Sequence, residues 1–196
     1  MTLADKVTSL RLVLIPFFFI LYLVPEIYFP ALKDQLWVIV ALWALFIAIE
    51  CTDWLDGKIA RSRNETSDFG KLYDPFADTL VRMGYFLCFV FTRILPIIPL
   101  LLILYREFGI LFLRILMMKK GIAMGARKGG KLKAVCYMLT GLACLLSVTM
   151  ERLGFSDPVS FFRQTATVIF ILSMVMAVVS FIDYFIVYLK TSKSIT

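Results

Sequence analysis

This chain of 196 residues contains six long apolar stretches, which restrict the folds that it can adopt. Each is close to the roughly 17 to 25 residues that a helix needs to cross a bilayer. Hydrophobic residues make up 61% of the sequence, far above their share in a soluble domain. The sequence therefore predicts an all-α, polytopic membrane protein, a single domain over residues 1–196. The predicted spans are residues 8–24, 36–60, 75–91, 94–118, 133–150 and 165–189.

The first apolar stretch has the position of a signal peptide, but it is interpreted here as an uncleaved span. It lacks a convincing small-residue cleavage site before Pro25. Residues 1–7, which precede it, could begin a short interfacial helix at the amino terminus.

Four aspartates lie where the second and third predicted spans approach the same membrane face: Asp53, Asp56, Asp74 and Asp78. On helices, the first two are spaced i, i+3 and the last two i, i+4, so each pair projects from one helical face. Carboxylates gathered at a membrane are unfavourable unless a cation compensates for them. Hard oxygen ligands suit Mg²⁺ or Mn²⁺, which often bind substrate phosphates as well. The pattern predicts a divalent metal site and favours phosphate chemistry.

Small residues accompany the first pair of aspartates. Gly57 lies one turn after Asp53, and Ala60 lies one turn after Asp56, so a bulky ligand could approach the helix there. Arg61 adds a cation that is suited to phosphate. Gly57, Ala60 and Arg61 therefore favour a nucleotide-binding site on this face of the helix.

The complete order of these residues resembles a known signature. The string Asp53-x2-Asp56-Gly57-x2-Ala60-Arg61-x8-Gly70-x3-Asp74-x3-Asp78 matches in full that of the CDP-alcohol phosphotransferases, integral membrane enzymes of phospholipid synthesis. Further motifs are similar to the bacterial phosphatidylglycerophosphate synthase branch: Thr8, Arg11 and residues 15–18, 74–78, 106–108 and 130–133. The chain departs from this branch at Asp5, where Asn is common, and at Thr79, where Lys is common.

The resemblance implies transfer of a phosphatidyl group from CDP-diacylglycerol to glycerol 3-phosphate, with release of CMP. It implies two Mg²⁺ or Mn²⁺ ions held by Asp53, Asp56, Asp74 and Asp78, with Asp78 also the general base. It further implies a homodimer, and no nucleic-acid partner is expected. The implied CDP-binding residues are Thr8, Asp53, Asp56, Gly57, Ala60, Arg61 and Gly70.

The fourth predicted span carries three charged residues, which are costly within an apolar helix. Glu107 and Arg114 are seven residues apart and share one face, so a purely structural ion pair is an alternative interpretation. Arg106 points elsewhere and could bind the phosphate of a phosphorylated acceptor. The predicted acceptor-phosphate residues are Arg11, Arg106, Arg114, Lys131 and Lys133.

Positive charge is distributed unevenly over the predicted topology. With six spans, both termini and the connections after spans two and four share one side, which receives almost all Lys and Arg residues. Four fall on the other side, namely Lys33, Arg93, Arg152 and Arg163. By the positive-inside rule, the aspartates and both termini face the cytoplasmic side of a bacterial cytoplasmic membrane. The net charge of +7 also favours contact with anionic membrane lipids.

The chain has no histidine, which excludes phosphohistidine intermediates and catalysis by histidine. Its four cysteines have no Cys-x-x-Cys spacing, so they are expected to pack as small hydrophobic residues. Within the family, inositol phosphate, serine, choline and ethanolamine are alternative alcohols, and a CDP-alcohol could instead donate to diacylglycerol. A cation transporter is the alternative of another class, although its carboxylates would be expected near the bilayer midplane. For Asp78 alone, an ion pair with Arg82 is the structural alternative.

Overall fold

A computed structural model of the chain describes residues 3–63, 70–119 and 128–193. All regular structure within these ranges is helical, which confirms the all-α prediction. The helices are α1 (Leu3–Ile27), α2 (Pro30–Lys33), α3 (Leu36–Arg63), α4 (Gly70–Phe91), α5 (Ile97–Lys119), α6 (Lys128–Arg152) and α7 (Asp157–Lys193).

Each of the six predicted spans corresponds to one long helix, and the short α2 was not predicted. In the described ranges, α1, α3, α6 and α7 contain stretches long and apolar enough to cross a membrane. Helices α4 and α5, with 22 and 23 residues, are also long enough, but charged residues interrupt their apolar stretches. The chain is therefore an integral membrane protein, and the charged residues within α4 and α5 include candidate site residues.

Most helices are longer than the predicted spans, and the boundaries of α1 and α5 show two particular differences. Residues 3–7 form the first turns of α1, so the described part of the amino terminus contains no separate interfacial helix. Helix α5 begins at Ile97 rather than at residue 94 because the backbone turns sharply after α4. There Arg93 adopts a left-handed φ of 58°, and the amide of Ile94 bonds to the carbonyl of Phe89 at 2.9 Å.

The long helices pack as a bundle around an aromatic core. Helix α1 packs against α3 and α4, while α7 packs against α5 and α6. Phe86 of α4 connects the two groups, because its ring meets Tyr137 of α6 at 5.6 Å and Phe170 of α7 at 4.9 Å. Large apolar side chains such as Phe17 and Phe112 remain exposed on the outside of the bundle, as a surface in contact with lipid requires.

A close approach of two helices positions the site. A Cβ atom added to Gly84 of α4 would collide with the side chain of Ile15 on α1. Small residues at such crossings allow the backbones of membrane helices to come together. This crossing brings the first turns of α1 beside the first turns of α4, where Asp74 and Asp78 lie.

Candidate active site

Three helices bring three of the predicted aspartates to one end of the bundle. Asp53 lies in the last part of α3, and Asp74 and Asp78 lie one turn apart near the start of α4. The buried Arg11 of α1 joins the two helices, because its Nη1 atom lies 2.9 Å from Asp78 Oδ1 and also forms an ion pair with Asp53 Oδ1. Asp53 and Asp78 therefore face each other across a single guanidinium nitrogen.

The predicted nucleotide-binding residue Thr8 lies beside the third aspartate. Its hydroxyl donates a hydrogen bond of 2.9 Å to Asp74 Oδ1. One residue later, the hydroxyl groups of Ser9 and Tyr73 are 2.8 Å apart. Gly70 is the buried first residue of α4, so it lies on the same helix end as Asp74. The structure thus places two of the predicted CDP-binding positions next to the aspartates.

Several predicted site residues have side chains outside the described part of the structure. Asp56, Gly57, Ala60 and Arg61 belong to the last turns of α3, and Lys131 belongs to the first turns of α6. Their assigned roles remain predictions that rest on the sequence.

The described carboxylates fit a divalent metal by the chemistry of their donors. Asp53, Asp74 and Asp78 supply hard oxygen atoms, and two of these groups already share a cation, the guanidinium of Arg11. Among the described side chains, no three acidic or cysteine groups are clustered so that they could hold a metal ion. The side chain of Asp56, the fourth predicted ligand, is outside the described part of the structure.

A cavity of about 290 Å³ opens between α4, α5, α6 and α7, next to the aspartates. This is close to the smallest size usual for small-molecule sites, roughly 300 to 1,000 Å³. Asp78 forms part of its wall. The other charged side chains that line it are Arg82, Arg106, Glu107, Arg114 and Lys133. The cavity therefore combines a predicted catalytic carboxylate with four cationic side chains and one further carboxylate.

Glu107 organises part of this cavity by binding two of the cations. Its Oε2 accepts a bond of 2.8 Å from Arg106 Nη1, and its Oε1 forms an ion pair with Lys133 and accepts a bond of 3.1 Å from the Tyr137 hydroxyl. The ion pair of Glu107 with Arg114, considered from their spacing, is wrong for the described side chains. Arg106 takes that place because its long side chain reaches back to its neighbour.

Arg106 is also bound to α7, through Nε to the carbonyl of Ala177 at 3.3 Å and through Nη2 to the Ser180 hydroxyl at 3.0 Å. Arg114 is less constrained. Its Nη2 lies 3.5 Å from the Tyr184 hydroxyl, and its buried Nε has no hydrogen-bond partner within the described residues. Arg114 is therefore the cavity cation with hydrogen-bonding capacity left for a ligand.

Arg82 is a site residue that the sequence indicated only as a structural partner of Asp78. Its Nη1 donates to the carbonyl of Ala134 on α6 at 2.9 Å, and its Nη2 lies 3.6 Å from Asp53 Oδ2. Arg82 and Asp78 line both the large cavity and a smaller one that contains Arg11 and Asp53. The spacing of four residues from Asp78 was the available signal. Arg11, predicted for the acceptor phosphate, lies instead among the aspartates, in the smaller cavity.

The sequence is similar to a known family and to several known proteins. A model of the CDP-alcohol phosphatidyltransferase family matches residues 1–192. The CDP-diacylglycerol--glycerol-3-phosphate 3-phosphatidyltransferase of Treponema pallidum is 39% identical over 189 residues, which cover 94% of this chain and 88% of that protein. The protein of the same name from Bacillus subtilis is 33% identical, over 74% of this chain and 76% of its own length. A probable phosphatidylglycerophosphate synthase of Mycobacterium tuberculosis is 30% identical, over 93% of this chain and 79% of its own length.

Proposed function

The chain belongs to the CDP-alcohol phosphatidyltransferase family, and we propose that it transfers the phosphatidyl group of CDP-diacylglycerol to glycerol 3-phosphate, with release of CMP. The enzyme class follows from the family. The choice of acceptor is supported by the names of relatives that are similar over most of this chain.

The charge of the large cavity is the observation that carries this proposal. Its four cationic and two anionic described side chains leave an excess of two positive charges. A phosphate monoester carries close to two negative charges near neutral pH, and its burial requires cationic partners. Unphosphorylated serine or glycerol would leave this excess uncompensated, and the quaternary amine of choline would be repelled by it. The cavity therefore favours a small phosphorylated alcohol.

The position of Asp78 connects this cavity to the reaction. We assign Asp78 as the base that accepts the proton of the attacking hydroxyl of glycerol 3-phosphate. The hydroxyl oxygen forms a bond to the phosphorus that carries the diacylglycerol group. The bond from this phosphorus to the bridging oxygen breaks, and CMP leaves with that oxygen. Arg82, at the wall shared by the two cavities, lies where it can stabilise negative charge on the transferred phosphate.

For the cofactor, we propose two Mg²⁺ or Mn²⁺ ions held by Asp53, Asp56, Asp74 and Asp78. When bound, such ions neutralise the charge of phosphate oxygens. Gly57, Ala60, Arg61 and Gly70 are assigned to the CDP group on the strength of the complete signature. Thr8, from the motif near the amino terminus, is assigned to the same group, and its bond to Asp74 supports that assignment.

We propose that the aspartates and both termini face the cytoplasm, because the basic residues are concentrated on that side of the predicted topology. The basic segment between α5 and α6 would contact anionic lipids. A homodimer, implied by the family, is proposed with one site in each protomer. Mass measurement in nanodiscs that finds monomer alone would contradict the dimer.

A turnover screen tests the proposed function. Purified protein in detergent with Mg²⁺ is given CDP-diacylglycerol and one alcohol at a time, and CMP release is followed. We expect glycerol 3-phosphate to support turnover and glycerol, serine and choline to support little, with Asp78→Asn as the inactive control. Turnover with inositol phosphate alone would support a phosphorylated acceptor but contradict the assignment of glycerol 3-phosphate. Equal turnover with unphosphorylated alcohols would reject the acceptor assignment while leaving the phosphotransferase reaction intact.

A further inference from the structure

A second polar cavity lies at the end of the bundle opposite the aspartates. It has a volume of about 250 Å³ and lies where α1 and α6 end, between these helices, α2 and the end of α4. Its wall includes Glu26, Lys33, Asp34, Glu151 and Arg152. None of these residues is used by the proposed reaction.

Arg152 is the group in this cavity that points to a ligand. Its side chain is only 4% exposed, and its Nη1 and Nη2 atoms have no hydrogen-bond partner among the described residues. The carboxylate Oε2 of Glu26 is 3.6 Å from Nη2, and the guanidinium lies 5.3 Å from the centre of the Tyr22 ring. Buried donors without acceptors are unfavourable, and more so when charged. A ligand with several oxygen atoms beside Arg152 would supply the missing hydrogen-bond acceptors.

The other charges of the cavity argue against a simple anion. Three carboxylates line it, from Glu26, Asp34 and Glu151, against the two cations Lys33 and Arg152. Lys33 is already engaged with Glu26, at 3.5 Å, and Glu151 is paired with Arg163, outside the cavity wall, at 3.4 Å. An anion bound to Arg152 would be close to this excess of carboxylates, which would repel it. A ligand that carries both an anionic and a cationic group satisfies both sets of side chains.

We propose that this cavity binds a phosphate ester that also carries a positively charged amine, as in the headgroup of a zwitterionic phospholipid. The phosphate would accept hydrogen bonds from Arg152, and the ammonium group would lie among the carboxylates. The position supports a lipid source, because the ends of membrane-spanning helices lie at the depth of the headgroups. The nearby exposed side chains of Tyr28 and Trp37 are of the type that anchors at this depth.

Lipid retention measured by native mass spectrometry tests this proposal. The purified protein is incubated with equal amounts of phosphatidylethanolamine and phosphatidylglycerol, with and without excess water-soluble phosphoethanolamine. We expect phosphatidylethanolamine to be retained in preference, and Arg152→Gln to reduce its binding about tenfold, as loss of hydrogen bonds to a charged group implies. Arg93→Gln, at the same end of the bundle but outside this cavity, is the matched control and should bind as the parent does.

Equal retention of the two lipids without binding of phosphoethanolamine, or equal binding by Arg152→Gln and the parent, would overturn the proposal. Because Arg152 is buried, Glu151→Gln at an exposed carboxylate provides a second variant that should fold normally. It should reduce the preference for phosphatidylethanolamine over phosphatidylglycerol, and an unchanged preference would also count against the proposal. Retention that resists excess phosphoethanolamine identifies the membrane lipid as the ligand. Binding of phosphoethanolamine without lipid preference identifies the soluble ester.

Discussion

Asp78 stands at the boundary between two sets of charges. On one side lie Arg11 and Asp53, and on the other lies the cavity lined by Arg114 and Lys133. A carboxylate in this position can receive a proton from an alcohol in the large cavity, while the neighbouring carboxylates remain available to a metal. Single substitutions can test whether one aspartate acts as the base while the others bind the metal.

Asp78→Asn should keep CDP-diacylglycerol binding but lose turnover by about 10²-fold or more, because it removes a general base and preserves the shape of the side chain. Asp56→Asn should also weaken metal-dependent binding of the nucleotide, because it removes a predicted ligand. The measurement is CMP release together with CDP-diacylglycerol binding for both variants. Near-normal turnover of Asp78→Asn would contradict the mechanism. Equal loss of CDP-diacylglycerol binding in the Asp78→Asn and Asp56→Asn variants would contradict the separate roles of base and metal ligand.

Arg114→Gln should raise the apparent KM for glycerol 3-phosphate by about tenfold, the usual effect of losing hydrogen bonds to a charged group. The KM for CDP-diacylglycerol should change much less, and Arg114→Lys should recover part of the effect because it restores the charge. Arg106→Ala and Lys133→Ala should act in the same direction, but each also removes one of the two cations paired with the largely buried Glu107 and is expected to lower stability. An equal rise in both KM values for Arg114→Gln would contradict the acceptor assignment.

The sequence predicts single residues well where a motif fixes both their type and their spacing, as for the aspartates. It fails for contacts that depend on long side chains and on the relative placement of helices. The spacing of Glu107 and Arg114 correctly indicates one helical face, but Lys133 reaches Glu107 from another helix. Helical periodicity carries no information about such a partner.

Helix α1 contributes more to the site than its apolar sequence suggests. It brings Thr8 and Arg11 to the aspartates, and its crossing with α4 at Gly84 sets how closely they approach. The apolar stretches predicted the long helices, but not their full lengths. Helix α3 continues past its apolar part to Arg63, because a helix needs hydrophobic residues only where it contacts lipid or core.

Substitution of Gly84 by Leu should loosen the crossing of α1 and α4, because the added side chain collides with Ile15. Overpacking of this kind typically costs about 1–3 kcal/mol. We expect a lower Tm in detergent and lower CMP release, measured on the same preparation. Leu87→Phe adds bulk at an exposed position of the same helix and should leave both quantities close to those of the parent. Equal effects of the two substitutions would show that the crossing does not position the site.

At the scale of the whole molecule, charged side chains gather at both ends of an apolar bundle, and the two ends differ in the ligands that we propose for them. The aspartate end combines carboxylates that we assign to a cation with a cationic cavity that we assign to a phosphate. Composition alone predicted the membrane protein, and the signature places the proposed chemistry at the aspartate end. The opposite cavity could not be predicted, because its residues come from α1, α2, α6 and the connections that follow α2 and α4, and they form no motif.

Chelation of divalent ions should abolish turnover, and Mg²⁺ or Mn²⁺ should restore it, because repulsion among the four aspartates is relieved by metal. The measurement is CMP release before and after treatment with a chelator, followed by addition of each ion. Recovery after metal addition controls for denaturation during the treatment. Full activity in excess chelator would contradict the metal site.

The central claim, transfer of a phosphatidyl group to glycerol 3-phosphate, is tested most directly by following both products in one reaction. Purified protein with Mg²⁺ is given CDP-diacylglycerol and glycerol 3-phosphate labelled in its glycerol carbons. We predict that label enters a lipid in a one-to-one ratio with released CMP, and that neither product forms with Asp78→Asn. Release of CMP without labelled lipid, or label transferred equally well from glycerol, would contradict the claim.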